Sequence, residues 1–144
     1  MPKKAITDDD ILRCYPVMAE LRTDLSKDEF LPLIRKMERE GYRLCYHEDN
    51  GAVAAVAGYR VFTKLYKGKN LYVDDLVTHP DKRSRGLGEQ LLTWLKNEAI
   101  NEQCTYFNLD SGTQRYRAHR FYFKQNLIID SYHFSEDILL TDKF

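Results

Sequence analysis

The stretch His79-Pro80-Asp81-Lys82-Arg83-Ser84-Arg85-Gly86-Leu87-Gly88-Glu89-Gln90-Leu91-Leu92 sets a run of charges and two glycines directly before an apolar helical run. Two readings compete. One is packing, a tight turn between a strand and a helix. The other is chemistry, a backbone cradle for a phosphate. A helix N-terminus carries about four unpaired N–H groups and the positive end of the helix dipole. Glycines let a ligand approach that backbone closely. Together these features bind phosphate or pyrophosphate. The flanks favour the cradle. Leu71 to Thr78 reads as a strand, and Leu87, Leu91, Leu95 and Ala99 recur every fourth residue, with Trp94 and Glu98 alongside, as the clearest helix in the chain. The loop is basic, with Lys82, Arg83 and Arg85. It is not a Walker A loop, because no Gly-Lys-Ser/Thr follows. It is not a dinucleotide fingerprint, because the third glycine is missing and no βαβ unit opens the chain.

Outward from this loop the chain reads as alternating layers. Thr7 followed by Asp8, Asp9 and Asp10 starts a helix carrying Ile11, Tyr15, Met18 and Leu21, with Pro16 as a break or kink. Ser26-x-x-Glu29 is a capping box for a second helix with Phe30, Ile34 and Met37 on one side. Pro32 implies a kink or a later start there, and Gly41 ends the helix. Tyr42 to Tyr46 and Ala52 to Phe62 read as strands around an Asn50-Gly51 hairpin turn. Lys67 to Asn70 is a further turn before the strand Leu71 to Thr78. In that strand Asp74 and Asp75 interrupt the apolar alternation, the pattern of a β-bulge. Thr105 to Leu109 reads as a strand, Arg115 to Lys124 as a helix, and Leu127 to Phe134 and Asp137 to Leu140 as closing strands. The order is roughly ααβββαβαβ(β), an α+β arrangement with a strand–loop–helix crossover in its middle.

The 144 residues suit one domain, residues 1–144, able to bury a core without staples. Lys plus Arg is 22 and Asp plus Glu is 22, so the formal charge is zero. A nucleic-acid binder usually carries a basic excess, which argues against that partner. Cys14, Cys45 and Cys104 are far apart and odd in number, which disfavours a disulfide framework and fits a reducing compartment. No His, Cys, Asp and Glu cluster has metal-ligand spacing. No run approaches transmembrane length and the first residues lack an apolar leader, so the expected location is cytoplasmic, with no membrane partner.

Two elements of this sequence resemble the GNAT acetyltransferase superfamily. The first is Tyr72-Val73-Asp74-Asp75-Leu76-Val77-Thr78-His79-Pro80 followed by Arg83-Ser84-Arg85-Gly86-Leu87-Gly88, which resembles the family's strand with its valine one place early and matches its Arg/Gln-x-x-Gly-x-Gly/Ala signature. The second is Ala118-His119-Arg120-Phe121-Tyr122-Phe123-Lys124-Gln125-Asn126-Leu127, which matches Ala-x-x-Phe-Tyr-x-x-x-Gly-Phe with Asn126 in place of Gly and Leu127 in place of the aromatic. Arg115 stands where many members have a cofactor-contacting Asn. The order of elements fits the family fold, a mixed central sheet flanked by helices, along nearly the whole chain.

The resemblance implies acetyl-CoA as donor, an amine as acceptor, and transfer by direct attack through a tetrahedral intermediate. Main-chain N–H groups of Arg85, Gly86, Leu87, Gly88 and Glu89 would grip the diphosphate, with charge added by Arg83. Backbone groups of Leu76, Val77 and Thr78 would receive pantetheine and the thioester carbonyl. Tyr122 matches the general acid that returns a proton to the thiolate, a task suited to a phenol of pKa about 10. Asp74 matches the acid that some members use as a base. Asp75 is its neighbour on the opposite face of a regular strand, and for either acid the alternative is a solvated or salt-bridged carboxylate. Histidine as a residue type can exchange a proton near neutrality, which makes His119 and His133 worth weighing, but a packed or surface histidine is the simpler reading of each. The expected acceptor is a small-molecule amine, because the chain is short and shows no extra peptide-docking domain. A protein or peptide amine, a non-catalytic acyl-CoA sensor and a nucleic-acid module using the Arg-rich helix are the alternatives. Homodimers are common in the family, and the resemblance implies one here.

Overall fold

Thr7 opens the first helix, α1 (Asp8–Leu21), with a reciprocal cap: its hydroxyl accepts from the Asp10 N–H at 3.0 Å, and the Asp10 carboxylate accepts from the Thr7 N–H at 3.2 Å. Ser26 caps α2 (Lys27–Arg39) through the Glu29 N–H. The structure is a computed structural model that describes residues 1–139 and 143–144. Pro16 and Pro32 lie inside these helices, and each helix runs through its proline. A mid-helix proline costs about 3 kcal/mol. Burial of Ile11, Cys14, Val17 and Met18 on α1, and of Phe30 and Ile34 on α2, offsets it, because tertiary packing outweighs local propensity.

The remaining elements are β1 (Lys3–Lys4), β2 (Arg43–Asp49), β3 (Ala52–Lys64), β4 (Gly68–Thr78), a 3-10 turn (Pro80–Lys82), α3 (Leu87–Asn101), β5 (Tyr106–Leu109) and α4 (Tyr116–Lys124). Met1–Leu109 forms one compact unit and Asp110–Phe144 a second. The first unit is a sheet of order β1-β2-β3-β4-β5, antiparallel except for the parallel pair β4 and β5. The parallel pair is possible because α3 supplies the crossover between the two strands.

Period-two alternation divides the sheet between two cores. Tyr42, Leu44, Tyr46, Val56 and Val77 pack with α1 and α2 on one face. Cys45, Ala55, Ala57, Tyr59, Leu71 and Val73 pack with Leu87, Leu91, Leu95 and Ala99 of α3 on the other. Sheet and α3 are thus joined along the apolar stripe that ends the opening sequence stretch. Asn70 is a polar member of this interior, wholly buried. Its amide donates to the Phe62 carbonyl at 2.9 Å and its oxygen accepts from Asn108 at 3.0 Å, tying β3, β4 and β5 together.

Three helices end alike. The residue after each C-cap is left-handed: Gly41 (φ 96°), Gln103 (φ 61°) and Asn126 (φ 66°). In each, two backbone bonds close the end, such as Gly41 N to Glu38 O and Tyr42 N to Met37 O, or Asn126 N to Phe123 O and Leu127 N to Tyr122 O. Asn126 therefore does the conformational work of the glycine it replaces.

The second unit carries α4, and here the expected closing strands fail. Residues 126–139 hold neither helix nor strand, and Leu140 lies outside the described residues. A strand exists through its ladder, and no described strand pairs with this segment. Its apolar side chains, Ile128, Tyr132, Phe134 and Leu139 among them, are exposed. Alternation alone specified nothing without a partner edge.

Asn70→Ala removes a donor from the Phe62 carbonyl and an acceptor from Asn108. The expected loss is about 2–3 kcal/mol of stability, read as a lower urea midpoint at unchanged slope.

Candidate active site

The loop from His79 to Gly86 is built from turns. The His79 N–H donates to the Ala54 carbonyl at 2.7 Å, and its Nδ1 accepts from the Asp81 N–H at 3.1 Å, starting the 3-10 turn. Ser84 then adopts φ 67°, a left-handed conformation that costs a non-glycine residue about 1 kcal/mol. Gly86 follows at φ 77° and caps α3 with no side chain. The helical ladder begins with the Gln90 N–H donating to the Gly86 carbonyl. The N–H groups of Leu87, Gly88 and Glu89 therefore point out of the helix end, as the cradle reading requires. Arg83 and Arg85 are exposed on the loop. Lys82 Nζ and Arg85 Nη1 both reach Asp49 Oδ2 at 3.0 Å.

Directly before this loop, β4 parts from β5. Their ladder runs from Asn70↔Tyr106 to Val73↔Leu109 and stops. Leu76, Val77 and Thr78 continue to pair with Ala57, Val56 and Ala55 of β3. Their backbone groups on the β5 side have no strand partner among the described residues. The parting coincides with a bulge. Gly58 pairs with Asp75 and Tyr59 with Val73, so Asp74 is the extra residue.

The bulge changes the reading of the two acids. In a regular strand they would face opposite sides. Here both turn to the α1–α2 side. Asp75 Oδ2 accepts from the buried Tyr42 hydroxyl at 2.7 Å, and its Oδ1 accepts from Arg22 Nε at 2.8 Å. Arg22 also donates to the Asp74 carbonyl at 3.0 Å, pinning the bulged residue itself. Asp74 Oδ2 accepts from Arg60 Nε at 2.7 Å, and Arg60 in turn reaches the Glu40 carbonyl. Burial pushes the Asp74 carboxyl up from the ordinary carboxylate value, against the opposing pull of Arg60. Asp75 spends both oxygens on structure, whereas Arg60 takes only one oxygen of Asp74. Burial also holds the Tyr42 phenol well above its ordinary value, with Asp75 adding to the effect, so it stays a donor.

Tyr122 lies on α4 in the second unit. Burial raises its phenol above the ordinary 10, and nearby Arg115 opposes the shift. Arg115 itself occupies the N-cap position of α4. His119 meets the Gly112 carbonyl at 2.7 Å through Nε2, shaping the loop before α4. His133 lies 3.6 Å from Asp110. Burial pushes the Cys14 thiol up to about 12 and the Cys45 thiol higher still, which leaves neither as a nucleophile. Among the described residues no group of His, Cys, Asp and Glu could hold a metal ion, and no helix is long and apolar enough to cross a membrane.

Sequence reasoning missed Arg22, Tyr42, Asp49 and Arg60. Each acts on a residue far along the chain, and no local spacing marks it. His47, which looks incidental in the sequence, is buried and meets Gln90 of α3 at 2.5 Å.

A family model described as "Acetyltransferase (GNAT) family" matches residues 7–126. An uncharacterized N-acetyltransferase of Bacillus subtilis (strain 168), YhdJ, is 33% identical over 138 residues, covering 94% of this chain and 97% of that protein. A solved structure of a transcriptional regulator from Bacillus halodurans C-125 superposes with a TM-score of 0.84 at 17% identity, covering 96% of this chain and 99% of that one. AAC(6')-Iy in complex with the bisubstrate analogue CoA-S-monomethyl-acetylneamine superposes with a TM-score of 0.82 at 11% identity, covering 96% and 98%. At these identities the two structural likenesses are of fold.

A Cβ on Gly58 would lie 1.7 Å from the Tyr42 hydroxyl oxygen. Gly58→Ala is expected to expel that ring, break its bond to Asp75 and cost about 3 kcal/mol, measured by denaturant unfolding. Gly58→Ala combined with Tyr42→Leu is expected to recover part of the loss.

Proposed function

The chain belongs to the acetyltransferase (GNAT) family, and from that premise we propose that it moves an acetyl group from acetyl-CoA to the primary amine of a small molecule by direct attack. The observation that carries this reading is the uncapped end of α3, joined by a cationic loop to a stretch of β4 that has no strand on its β5 side among the described residues. These groups fit the donor. The N–H groups of Leu87, Gly88 and Glu89, with Arg85 and Gly86 before them and Arg83 beside them, suit a diphosphate. The open backbone of Leu76, Val77 and Thr78 suits an amide-bearing chain that pairs as a strand would, and a thioester carbonyl at its end.

The donor supplies an acyl carbon already activated as a thioester. The protein supplies proton traffic. Asp74 takes a proton from the ammonium form of the acceptor, directly or through one water, at the oxygen that Arg60 leaves open. The freed amine forms the new C–N bond, the C–S bond breaks, and Tyr122 gives its phenolic proton to the departing thiolate. The second nitrogen proton leaves to solvent. Burial of Tyr122 keeps it protonated at neutral pH, as an acid requires. The raised thiols of Cys14 and Cys45 support direct attack over an acyl-enzyme route.

The acceptor is read as small because of charge. Each carboxylate at the bulge is offset by a guanidinium, Asp74 by Arg60 and Asp75 by Arg22. At the bulge itself neither acid is left as a bare negative charge to draw a polybasic peptide. The reading takes residues 1–144 as a single acetyltransferase domain.

Thiol release from acetyl-CoA across amino acids, polyamines, aminoglycosides and peptides tests the acceptor class. Turnover with peptides alone refutes the small-molecule reading, and coenzyme A binding without turnover on any amine refutes the enzyme. Tyr122→Phe is expected to lower kcat about tenfold or more while acetyl-CoA affinity persists. The kcat/KM profile should fall as pH drops through the Asp74 pKa, which burial raises from the ordinary aspartate value. Asp74→Asn should flatten that limb and lower the plateau.

A further inference from the structure

The tip of the β2–β3 hairpin lies against the anion loop. Asp49, the last residue of β2, places one oxygen, Oδ2, 3.0 Å from Lys82 Nζ and 3.0 Å from Arg85 Nη1. Those two cations flank Ser84, whose left-handed φ of 67° is the strained point of the loop. Arg83, Ser84, Arg85 and Gly86 are all exposed, so apolar packing does not hold this segment. A strained residue persists only where its surroundings over-determine it. Here the determinants are polar and come from one hairpin: Asp49 to Lys82 and Arg85, His47 to Gln90, and the Ala54 carbonyl to the His79 N–H.

The hairpin tip is itself fixed. Asn50 and Gly51 form its turn at φ 54° and 80°. Glu48 is held by Lys3 at 2.8 Å and by Arg13 at 3.0 Å, and Arg13 also donates to the Gly51 carbonyl at 3.1 Å. Asp49 is therefore a fixed post to which both sides of Ser84 are tied. The Lys82 bond holds its carboxyl below the ordinary carboxylate range, so it is ionised at neutral pH.

We propose that Asp49 is a positioning residue for donor binding: by bridging Lys82 and Arg85 across Ser84 it keeps the loop in the form in which the α3 N–H groups converge on a diphosphate. This role rests on the diphosphate reading of that loop. It opposes simple electrostatics. A carboxylate beside an anion site repels the anion, so on charge alone its removal strengthens binding. As a positioning residue its removal weakens binding, and the sign separates the two.

The test uses the full chain with Asp49→Asn and Asp49→Glu. Coenzyme A affinity is read by calorimetry, KM and kcat by thiol release, and amide exchange of residues 83–88 in the ligand-free protein by millisecond mass spectrometry. Asp49→Asn should raise the coenzyme A Kd and the acetyl-CoA KM about fivefold, the upper range for one exposed ion-pair cluster. The change in kcat should be less than about twofold, because Asp49 touches no reacting atom. Exchange in residues 83–88 should speed up, and Asp49→Glu should restore most of the affinity. Tighter or unchanged coenzyme A binding in Asp49→Asn overturns the proposal, as does unchanged exchange. If the natural sequence itself fails to bind coenzyme A, the diphosphate reading falls, and exchange alone decides whether Asp49 orders the loop.

Discussion

One surplus residue in β4 governs the site. A strand in mid-sheet normally satisfies a neighbour on each side, and any part that stops doing so must have a reason. Asp74 supplies it. The bulge bends β4 where its ladder with β5 ends at Val73, so among the described residues Leu76 to Thr78 pair with β3 alone. Arg22 and Tyr42 hold the bulge from the helical side. The open backbone then leads within a few residues to the helix mouth of α3. The two stretches proposed to receive the donor, the open backbone and the helix mouth, are consecutive in the chain because one irregularity precedes one loop.

The loop and the bulge are stabilised in different ways. The bulge is held by buried Tyr42, half-buried Arg60 and the exposed Arg22, with short bonds, and sits between two apolar cores. The loop is exposed and depends on charge and on left-handed backbone at Ser84 and Gly86. Such a division suits a site that must grip a flexible charged molecule at one end and place a carbonyl at the other. Pre-organised N–H groups cost little to use once formed. What orders them comes from another part of the sheet.

Much of this was legible in the sequence because the signals were local. The Thr7 and Ser26 caps, the Asn50-Gly51 turn, the Leu87-Leu91-Leu95-Ala99 stripe and the interrupted alternation at Asp74 each lie within a few residues of what they specify. The two prolines misled as far as they suggested a break or a later start, because burial keeps each helix continuous through its proline. The closing strands from Leu127 onward misled for the converse reason, since alternation is a statement about a partner that the segment itself does not contain. The direction of Asp75 needed the register across Gly58, and the partners Arg22, Arg60 and Asp49 needed the fold. Residue type and spacing pointed to where chemistry occurs, and three-dimensional packing decided which acid is spent on structure.

Gly58 and Tyr42 bear on how this sequence can diverge. The ring occupies the space that any side chain at position 58 would claim, and its hydroxyl is bonded to the strand acid beside the bulge. Neither position can drift alone. In a set of relatives the two should therefore covary as a pair, glycine with an aromatic phenol and a larger residue with something short, although they stand sixteen residues apart. Where that pairing is broken, the acid beside the bulge must have found a different donor, and the lineage a different way to keep its strand bent.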